Sequence, residues 1–506
     1  MIHFNLAKTI DNATDLSLVG KMANRHGLIA GATGTGKTIS LRKMAEEFSR
    51  AGVPVFLADV KGDLSGIVKA GEPTGKVGER MAQFGLDENY LSGFPVRFWD
   101  VFGQTGIPVR VTVSQMGAML LARLMNLNDT QEGLLNVVFK VADDNGWHIL
   151  DLKDLRAMLT HISDNAKEYR TKYGNISPAS VGAIQRQLLQ LESEGADTFF
   201  GEPALNLEDW VQTDDGKGVI NILNSEKLMR APRLYSAFLL WFLAEIFATF
   251  PEVGDLDKPK FVLFFDEAHL LFDNSPKALV EQIEQVVRLI RSKGVGVYFV
   301  TQNPLDLPDS ILGQLGNRIQ HALRAFTPRD QKAVKAAADT FRTNPNINVA
   351  TAISELGVGE ALVSFLDEKG MPNVVERAYV LPPSSQLAPL SEVERTASYL
   401  NDPLYAHYKD MVDNHSAFEA LEAQAAEHKA QEEQAQTQEQ SKAAQTSQKQ
   451  EPTALDGFIG GLTGARKKSG QGVAYNVADT LGNQLNKQAS KAISRGLMGV
   501  IKNLFK

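Results

Sequence analysis

The chain has 506 residues, a formal net charge of −8 at pH 7, 43% apolar and 22% charged residues, and no cysteine. This length and composition predict two to four structural units that are globular for most of the chain. The acidic balance excludes a protein that coats nucleic acid with its whole surface, while the lack of cysteine excludes disulfides and cysteine-bound zinc and favours a reducing, cytoplasmic compartment.

Apolar runs and an amphipathic stretch alternate near the start of the chain. The runs HGLIAGA (26–32) and VPVFLADV (53–60) predict strands, and TISLRKMAEEFSRAG (38–52) between them predicts a helix. A strand, a helix and a second strand with short connections are typical of a parallel sheet covered by helices. We therefore expect an α/β core.

The second half of the chain returns to this pattern. Its predicted strands are 218–224, 261–266, 294–302 and 317–326. An apolar run of 14 residues, 237–250, is shorter than the roughly 18 residues needed to span a bilayer, so we expect a buried core helix there.

A helical and rather polar pattern separates the two halves. We interpret residues 113–212 as a mostly helical insertion that divides the core into 1–112 and 213–390, followed by peripheral helices at 391–416. Packing on the core is the expected role of the insertion, with contact to a substrate as the alternative.

The composition changes again after residue 416. Residues 417–455 are rich in Ala, Gln and Glu and predict either a solvated helix or a disordered linker. Residues 456–506 predict a basic amphipathic tail, because from Arg466 onward eight Lys or Arg residues accompany a single acidic residue, Asp479. Such a tail binds a membrane surface, the DNA backbone, a protein partner or its own chain, and the sequence leaves these alternatives open.

The strongest motif is GATGTGKT at 31–38, which fits G-x-x-x-x-G-K-[ST] and lies between a predicted strand and a predicted helix. Glycines let the backbone N–H groups wrap closely around phosphates at a helix N-terminus. We expect Lys37 to reach the β- and γ-phosphates and Thr38 to coordinate Mg²⁺. The alternative, a glycine-rich turn without a ligand, does not explain the flanking strand and helix. The predicted ATP-binding residues are Gly31, Ala32, Thr33, Gly34, Thr35, Gly36, Lys37 and Thr38.

Two further polar positions follow predicted strands. Asp266 ends the run FVLFFD, where a carboxylate can bind Mg²⁺ through water, and Glu267 beside it can polarise the attacking water. Gln302 ends the next predicted strand and can sense the γ-phosphate. A solvated acidic turn and an ordinary strand-terminal polar residue are the alternatives.

The letters Asp-Glu-Ala-His at 266–269 also spell the box of the DEAH helicases. Those enzymes carry a second motor domain with a Q-x-x-G-R-x-G-R-type motif, and this sequence contains neither that motif nor Ser-Ala-Thr after the box. We interpret the four letters as a general Walker B aspartate followed by a catalytic glutamate.

The motif at 31–38, an Asp-x-Lys-Gly-Asp segment at 59–63, FFDEAH and FVTQNP, in this order, resemble the HerA/FtsK class of ring-forming P-loop ATPases. The resemblance covers most of residues 1–390 and is greatest to a bacterial HerA-like subfamily. It implies a RecA-like P-loop NTPase core, a homo-hexameric ring and DNA translocation. HerA proper has an N-terminal β-barrel, whereas only 30 residues precede Gly31 here, so the contacts of that barrel are not carried over.

Ring ATPases of this kind complete the nucleotide site with a neighbour's arginine. Arg318 and Arg324 are six residues apart and would face one side of the predicted strand 317–326, so either is a candidate for this role. The alternative is an ordinary polar or ion-paired strand face.

Two functions remain open at this point. The first is an Mg-dependent ATPase that drives DNA through a ring. The second is an ATP-dependent switch or assembly protein that engages a protein or membrane partner through its tail.

Overall fold

The computed structural model describes residues 2–254, 256–272 and 277–448. The chain divides into two compact units, Met1–Ala426 and Glu427–Lys506. The predicted basic tail, 456–506, lies outside the described residues and stays a prediction.

The described strands alternate with helices through most of the first unit. The strands are β1 (His3–Thr9), β2 (Asp15–Val19), β3 (Gly27–Ala30), β4 (Val55–Asp59), β5 (Val96–Asp100), β6 (Ile107–Pro108), β7 (Thr213–Asp214), β8 (Lys217–Gly218), β9 (Ile220–Asn224), β10 (Phe261–Phe265), β11 (Val295–Thr301), β12 (Asn317–Gln320), β13 (Glu360–Ser364) and β14 (Glu376–Val380). The helices are α1 (Lys37–Arg50), α2 (Gly75–Phe84), α3 (Val113–Leu124), α4 (Asp129–Asn145), α5 (Leu152–Asp164), α6 (Ala166–Tyr173), α7 (Pro178–Ser193), α8 (Pro232–Thr249), α9 (Lys277–Ile290), α10 (Asp309–Leu312), α11 (Pro328–Asp339), α12 (Val349–Glu355), α13 (Glu392–Leu400), α14 (Pro403–Tyr408) and α15 (Ala417–Gln448).

Twelve of the described strands form one mixed sheet in the order β2-β1-β14-β13-β12-β3-β11-β10-β4-β9-β5-β6. From β12 to β6 all neighbouring strands run parallel, while β13, β14, β1 and β2 add an antiparallel edge. The expected α/β fold with a mostly parallel sheet and a RecA-like P-loop NTPase core is therefore confirmed. The carboxyl ends of the parallel strands meet at one edge, which is where ligands bind in such sheets.

Strand β11 lies between β3 and β10. Ala30 at the end of β3 is opposite Thr301 at the end of β11, and Phe265 at the end of β10 is opposite Phe299. The chain segments that follow these three strands therefore emerge side by side.

Apolar side chains fix the helices on both faces of the sheet. On α1, Phe48 is fully buried and its ring lies 4.6 Å from that of Phe4 and 5.9 Å from that of Tyr298. On α8, Phe242 packs 4.8 Å from Phe56 of β4. Most of α8 is buried, which confirms the predicted core helix. Among the described residues, no helix combines the length and apolar character needed to cross a membrane.

Residues 113–193 fold into α3 to α7. The starts of α3, α4 and α5 are set by Thr112, Asn128 and Asp151, whose side chains accept hydrogen bonds from the backbone N–H three residues later in reciprocal capping boxes. Helices α3, α4, α5 and α7 contribute buried apolar residues to the same core as the sheet.

The polar run after residue 416 is helical as far as Gln448, the first of the two structures expected for it. The side chains of 422–438 are exposed, in agreement with their composition.

Candidate nucleotide site

The loop between β3 and α1 has a backbone that only glycine adopts without strain. Gly31, Gly34 and Gly36 have φ values of 155°, 78° and 121°. A Cβ at Gly31 would lie 2.5 Å from Cβ of His321, and one at Gly36 would lie 3.3 Å from the same imidazole. The glycines of the motif are thus required both for the turn and for its close approach to His321.

The side chain of Lys37 folds back onto the start of this loop. Its ammonium donates hydrogen bonds to the carbonyl of Gly31 at 2.7 Å and to that of Ala32 at 3.1 Å. Burial lowers the pKa of Lys37, and the nearby negative charge of Glu267 opposes that shift. The ammonium therefore stands where the phosphates of a nucleotide would be held, and Thr38 follows it in the first turn of α1.

Three hydrogen bonds tie the loop to its surroundings. The N–H of Gly31 donates to the carbonyl of Thr301, that of Ala32 donates to Ala322, and the carbonyl of Thr35 accepts from Gly359. These partners come from β11, from the segment after β12 and from the turn before β13. These three hydrogen bonds hold the backbone of the loop in place.

His321, which no sequence pattern marks as a site residue, packs against the loop at Gly31 and Gly36. Nδ1 lies 2.9 Å from the carbonyl of Glu360, and Nε2 lies 2.8 Å from the hydroxyl of Ser40 on α1. A carbonyl oxygen can only accept, so Nδ1 carries the proton and Nε2 accepts from Ser40. Burial lowers the pKa of His321 to about 4, with Lys37 acting in the same direction. The imidazole is therefore neutral at pH 7.

Asp266 and Glu267 follow β10, as predicted. Both are buried, and a carboxylate oxygen of Asp266 accepts from the backbone N–H of Glu267 at 2.9 Å. Burial raises the pKa of Asp266 to about 7, and the charge of Glu267 acts in the same direction. A divalent cation would favour the ionised form of Asp266. Glu267 has φ 48° and ψ 49°, a left-handed conformation that costs a non-glycine residue about 1–2 kcal/mol.

This strained backbone aims the Glu267 carboxylate at a set of donors. The Lys61 ammonium lies 2.6 Å from Oε1, and the Gln302 amide lies 3.3 and 3.2 Å from the two oxygens. The imidazole of His269 is 3.6 Å from Oε2. Burial opposes ionisation of Glu267, but Lys61 and then Gln302 outweigh it and leave its pKa lowered.

Gln302 connects the two motifs. While its amide N–H donates to Glu267, its oxygen accepts from the hydroxyl of Thr33 at 3.3 Å. The structure therefore brings the phosphate-binding loop, the predicted sensor and the predicted catalytic glutamate into one hydrogen-bonded series. Lys61 belongs to the Asp-x-Lys-Gly-Asp segment, for which the sequence suggested no role.

The predicted geometry of the two arginines is wrong. Strand β12 ends at Gln320, so Arg318 and Arg324 do not share a strand face. Arg318 donates to the carbonyls of Leu315 and Leu312 at 3.1 and 3.0 Å, which caps α10 within its own chain.

Arg324 instead lies on an exposed segment at the nucleotide loop. It lines a cavity of about 480 Å³ together with Thr33, Gln302 and Asp330 of the same chain. Of the two arginines, only Arg324 is therefore placed beside the phosphate-binding loop.

The donors at this edge fit ATP with Mg²⁺. Among the described residues, no three His, Asp or Glu side chains gather as a metal cluster. Mg²⁺ characteristically uses one or two carboxylates and completes its shell with water and substrate phosphates. The hydroxyl of Thr38 and the carboxylate of Asp266 are donors of that kind, and a Cβ at Gly34 of the loop would meet no atom within 4 Å.

The sequence model of the helicase HerA-like C-terminal family matches residues 5–504. The DNA double-strand break repair helicase HerA of Saccharolobus solfataricus is 30% identical over 103 residues, which are 20% of this chain and 19% of that protein. The probable helicase MJ1565 of Methanocaldococcus jannaschii is 32% identical over 110 residues, 22% of this chain and 20% of that protein. The chain thus spans about a fifth of the length of these relatives.

Among solved structures, the bacterial conjugative coupling protein TrwBΔN70 in its unbound form superposes with a TM-score of 0.51 at 15% identity, covering 76% of this chain and 90% of that one. At this identity the likeness shows a shared fold. Because the family match extends over nearly the whole sequence, this chain belongs to the helicase HerA-like C-terminal family.

Proposed function

We propose that this chain is an Mg²⁺-dependent ATPase that acts as a ring-forming DNA motor. The observation that carries the ATPase part is the hydrogen-bonded series from Thr33 through Gln302 to Glu267, which lies beside the Lys37 ammonium. It supports hydrolysis because a buried carboxylate is held next to the loop where a γ-phosphate would end.

In this proposal each residue has a defined task. Lys37 and the loop N–H groups bind the phosphates, and Thr38 and Asp266 hold Mg²⁺, which would neutralise phosphate charge when bound. Glu267 orients the attacking water and accepts its proton. Gln302 reports the state of the γ-phosphate to Glu267, since it already contacts both sides of the site.

Arg324 is the arginine we propose for contact with the γ-phosphate. It lines the cavity beside Thr33, whereas the guanidinium of Arg318 is engaged with α10. Mixing Arg324→Ala with Lys37→Ala subunits tests which subunit Arg324 serves. If the mixture hydrolyses ATP, Arg324 serves the nucleotide of a neighbouring subunit. If it does not, Arg324 serves the nucleotide of its own subunit.

DNA as the substrate is supported by the family and by one surface. Relatives that match part of the chain are described as helicases. On α11, Arg329, Lys332 and Lys335 are exposed at intervals of three residues, and within the described part of the chain they form no ion pair. Such a stripe suits the phosphate backbone despite the acidic net charge. We further propose a homo-hexamer, as the resemblance to the HerA/FtsK class implies, in which the exposed Arg324 is available to a neighbouring subunit.

The second candidate is an ATP-dependent switch or assembly protein acting on a protein or membrane partner. It is favoured by the basic segment after Arg466, which contrasts with the acidic rest of the chain. This segment lies outside the described residues.

Steady-state ATP hydrolysis with and without duplex and single-stranded DNA, over a range of salt, distinguishes the two. A motor predicts stimulation by DNA that declines steeply with salt and is lost in Glu267→Gln. Hydrolysis that depends on Glu267 but ignores DNA, together with binding to anionic vesicles that requires the tail, supports the switch and overturns the motor.

A further inference from the structure

We propose that Lys61 is a positioning residue for hydrolysis, which holds the Glu267 carboxylate in the orientation needed to activate water. The inference rests on the proposed ATPase function. The ammonium of Lys61 is 2.6 Å from Oε1 of Glu267, and the Glu267 side chain is only 6% exposed while that of Lys61 is 44% exposed. The ion pair therefore joins a partly exposed lysine to a buried glutamate, which is the proposed catalytic residue.

The pair is directed by a tight turn after β4. The carboxylate of Asp59 accepts hydrogen bonds from three backbone N–H groups, those of Lys61 at 3.2 Å, Gly62 at 2.7 Å and Leu64 at 3.1 Å. Gly62 has φ 73°, which glycine adopts without strain. Asp59 thereby fixes the backbone from which Lys61 extends.

The turn is also attached to the helix that begins at the phosphate-binding loop. Arg42 of α1 is 2% exposed and donates to the carbonyl of Asp63 at 2.6 Å and to that of Leu387 at 3.3 Å. The turn that carries Lys61 is thus attached to α1, the helix that begins at Lys37.

Electrostatics explains why Glu267 needs this partner. Its carboxylate is buried beside the carboxylate of Asp266, and its backbone is left-handed. Within the described residues, the other side chain that donates to this carboxylate is the Gln302 amide, and the charge of Lys37 also favours its ionised form. Loss of a cation from a buried pair leaves a poorly compensated charge, which destabilises the arrangement that holds the remaining side chain. We therefore expect Lys61 to affect hydrolysis by orienting Glu267 and not by binding the phosphates.

The first test compares Lys61→Met with Lys61→Arg in the full-length chain. Removing a partner that orients a metal-binding side chain costs about 10- to 100-fold in affinity or activity. By analogy, we expect Lys61→Met to lower kcat in this range, while KM for ATP and the affinity for a non-hydrolysable analogue change less than about threefold. Lys61→Arg, which keeps the charge, recovers most of kcat. The matched control is Lys69→Met, since Lys69 is equally exposed at 44% and pairs with Glu394 away from the site.

The second test needs no activity. In the nucleotide-free protein, Lys61→Met lowers Tm because it leaves Glu267 unpaired, and in the Glu267→Gln background the same substitution no longer lowers Tm. An equal loss of Tm in both backgrounds overturns the inference, as does a Lys61→Met variant that loses nucleotide affinity along with kcat. If the wild type hydrolyses ATP, Glu267→Gln does not, and Lys61→Met is fully active, the proposed function stands and only the role of Lys61 falls.

Discussion

Because His321 is neutral where it packs against the phosphate-binding loop, we expect the free energy of unfolding to depend on pH. Its pKa is lowered from 6.5 to about 4 in the folded protein. Below pH 6.5 the unfolded chain therefore binds a proton that the folded chain excludes, and the contribution of His321 to stability is lost as the pH falls from 6.5 toward 4. Between pH 6.5 and pH 5 this amounts to about 2 kcal/mol, because each pH unit is worth about 1.4 kcal/mol.

The variant that isolates this effect is His321→Gln, which keeps a hydrogen-bond donor and acceptor but does not titrate. Other buried groups act in the opposite direction, since the pKa of Asp59 is raised to about 6 and that of Asp266 to about 7 by burial. These groups are present in both proteins, so their contributions cancel in the difference between them.

The assay is urea unfolding, followed by tryptophan fluorescence, of both proteins at pH 7 and pH 5. We expect the advantage of the wild type in free energy of unfolding to shrink by about 2 kcal/mol at pH 5. An advantage that is the same at both pH values, within about 0.5 kcal/mol, would refute the neutral imidazole and the hydrogen-bond pattern derived from it.

Three further predictions concern the site and its surroundings. Gly31→Ala places a Cβ 2.5 Å from Cβ of His321, so strain of about 1–3 kcal/mol should weaken ATP binding about tenfold or more in equilibrium titrations; unchanged affinity would contradict the tight packing. Gln302→Ala removes one donor from Glu267 and should lower kcat about a hundredfold with little change in nucleotide affinity; a loss of affinity alone would contradict the sensor role. Replacing both Lys332 and Lys335 with Gln should lower the salt slope of DNA binding by about 2, and an unchanged slope would exclude α11 as the DNA contact.

The sequence predicted those site residues that come directly after a strand in the chain. The phosphate-binding loop, Asp266 with Glu267, and Gln302 each follow directly on an apolar run, so strand prediction alone places them at the ends of strands. Their mutual contact follows from the parallel sheet, whose carboxyl ends meet at one edge.

Contacts that depend on strand order could not be read in the same way. Lys61 reaches Glu267 because β4 pairs with β10, although 206 positions separate the two residues in the chain. A signal was present, since the polar segment Asp59–Asp63 also follows a strand. The approach of His321 to Ser40 has no local signal of that kind, because it depends on the pairing of β12 with β3.

The strand predicted for 317–326 extends too far for a physical reason. The alternating pattern continues through Phe326, but the N–H of Leu323 donates to the carbonyl of Ile353 at the end of α12. Ala322 and Leu323 belong to a second apolar cluster that α11 and α12 cover. The backbone of His321 and Ala322 still bonds to Ala30 and Ala32, and from Leu323 onward packing against these helices draws the chain away and leaves Arg324 exposed.

The central claim is that Glu267 carries out hydrolysis of a nucleotide held by Lys37. The most direct measurement is binding of Mg-ATP and its hydrolysis in parallel for the wild type, Lys37→Ala and Glu267→Gln. We expect Lys37→Ala to lose binding, whereas Glu267→Gln binds Mg-ATP as the wild type does and loses hydrolysis by at least about a hundredfold. Hydrolysis by Glu267→Gln within about threefold of the wild type would contradict the assignment of the catalytic glutamate.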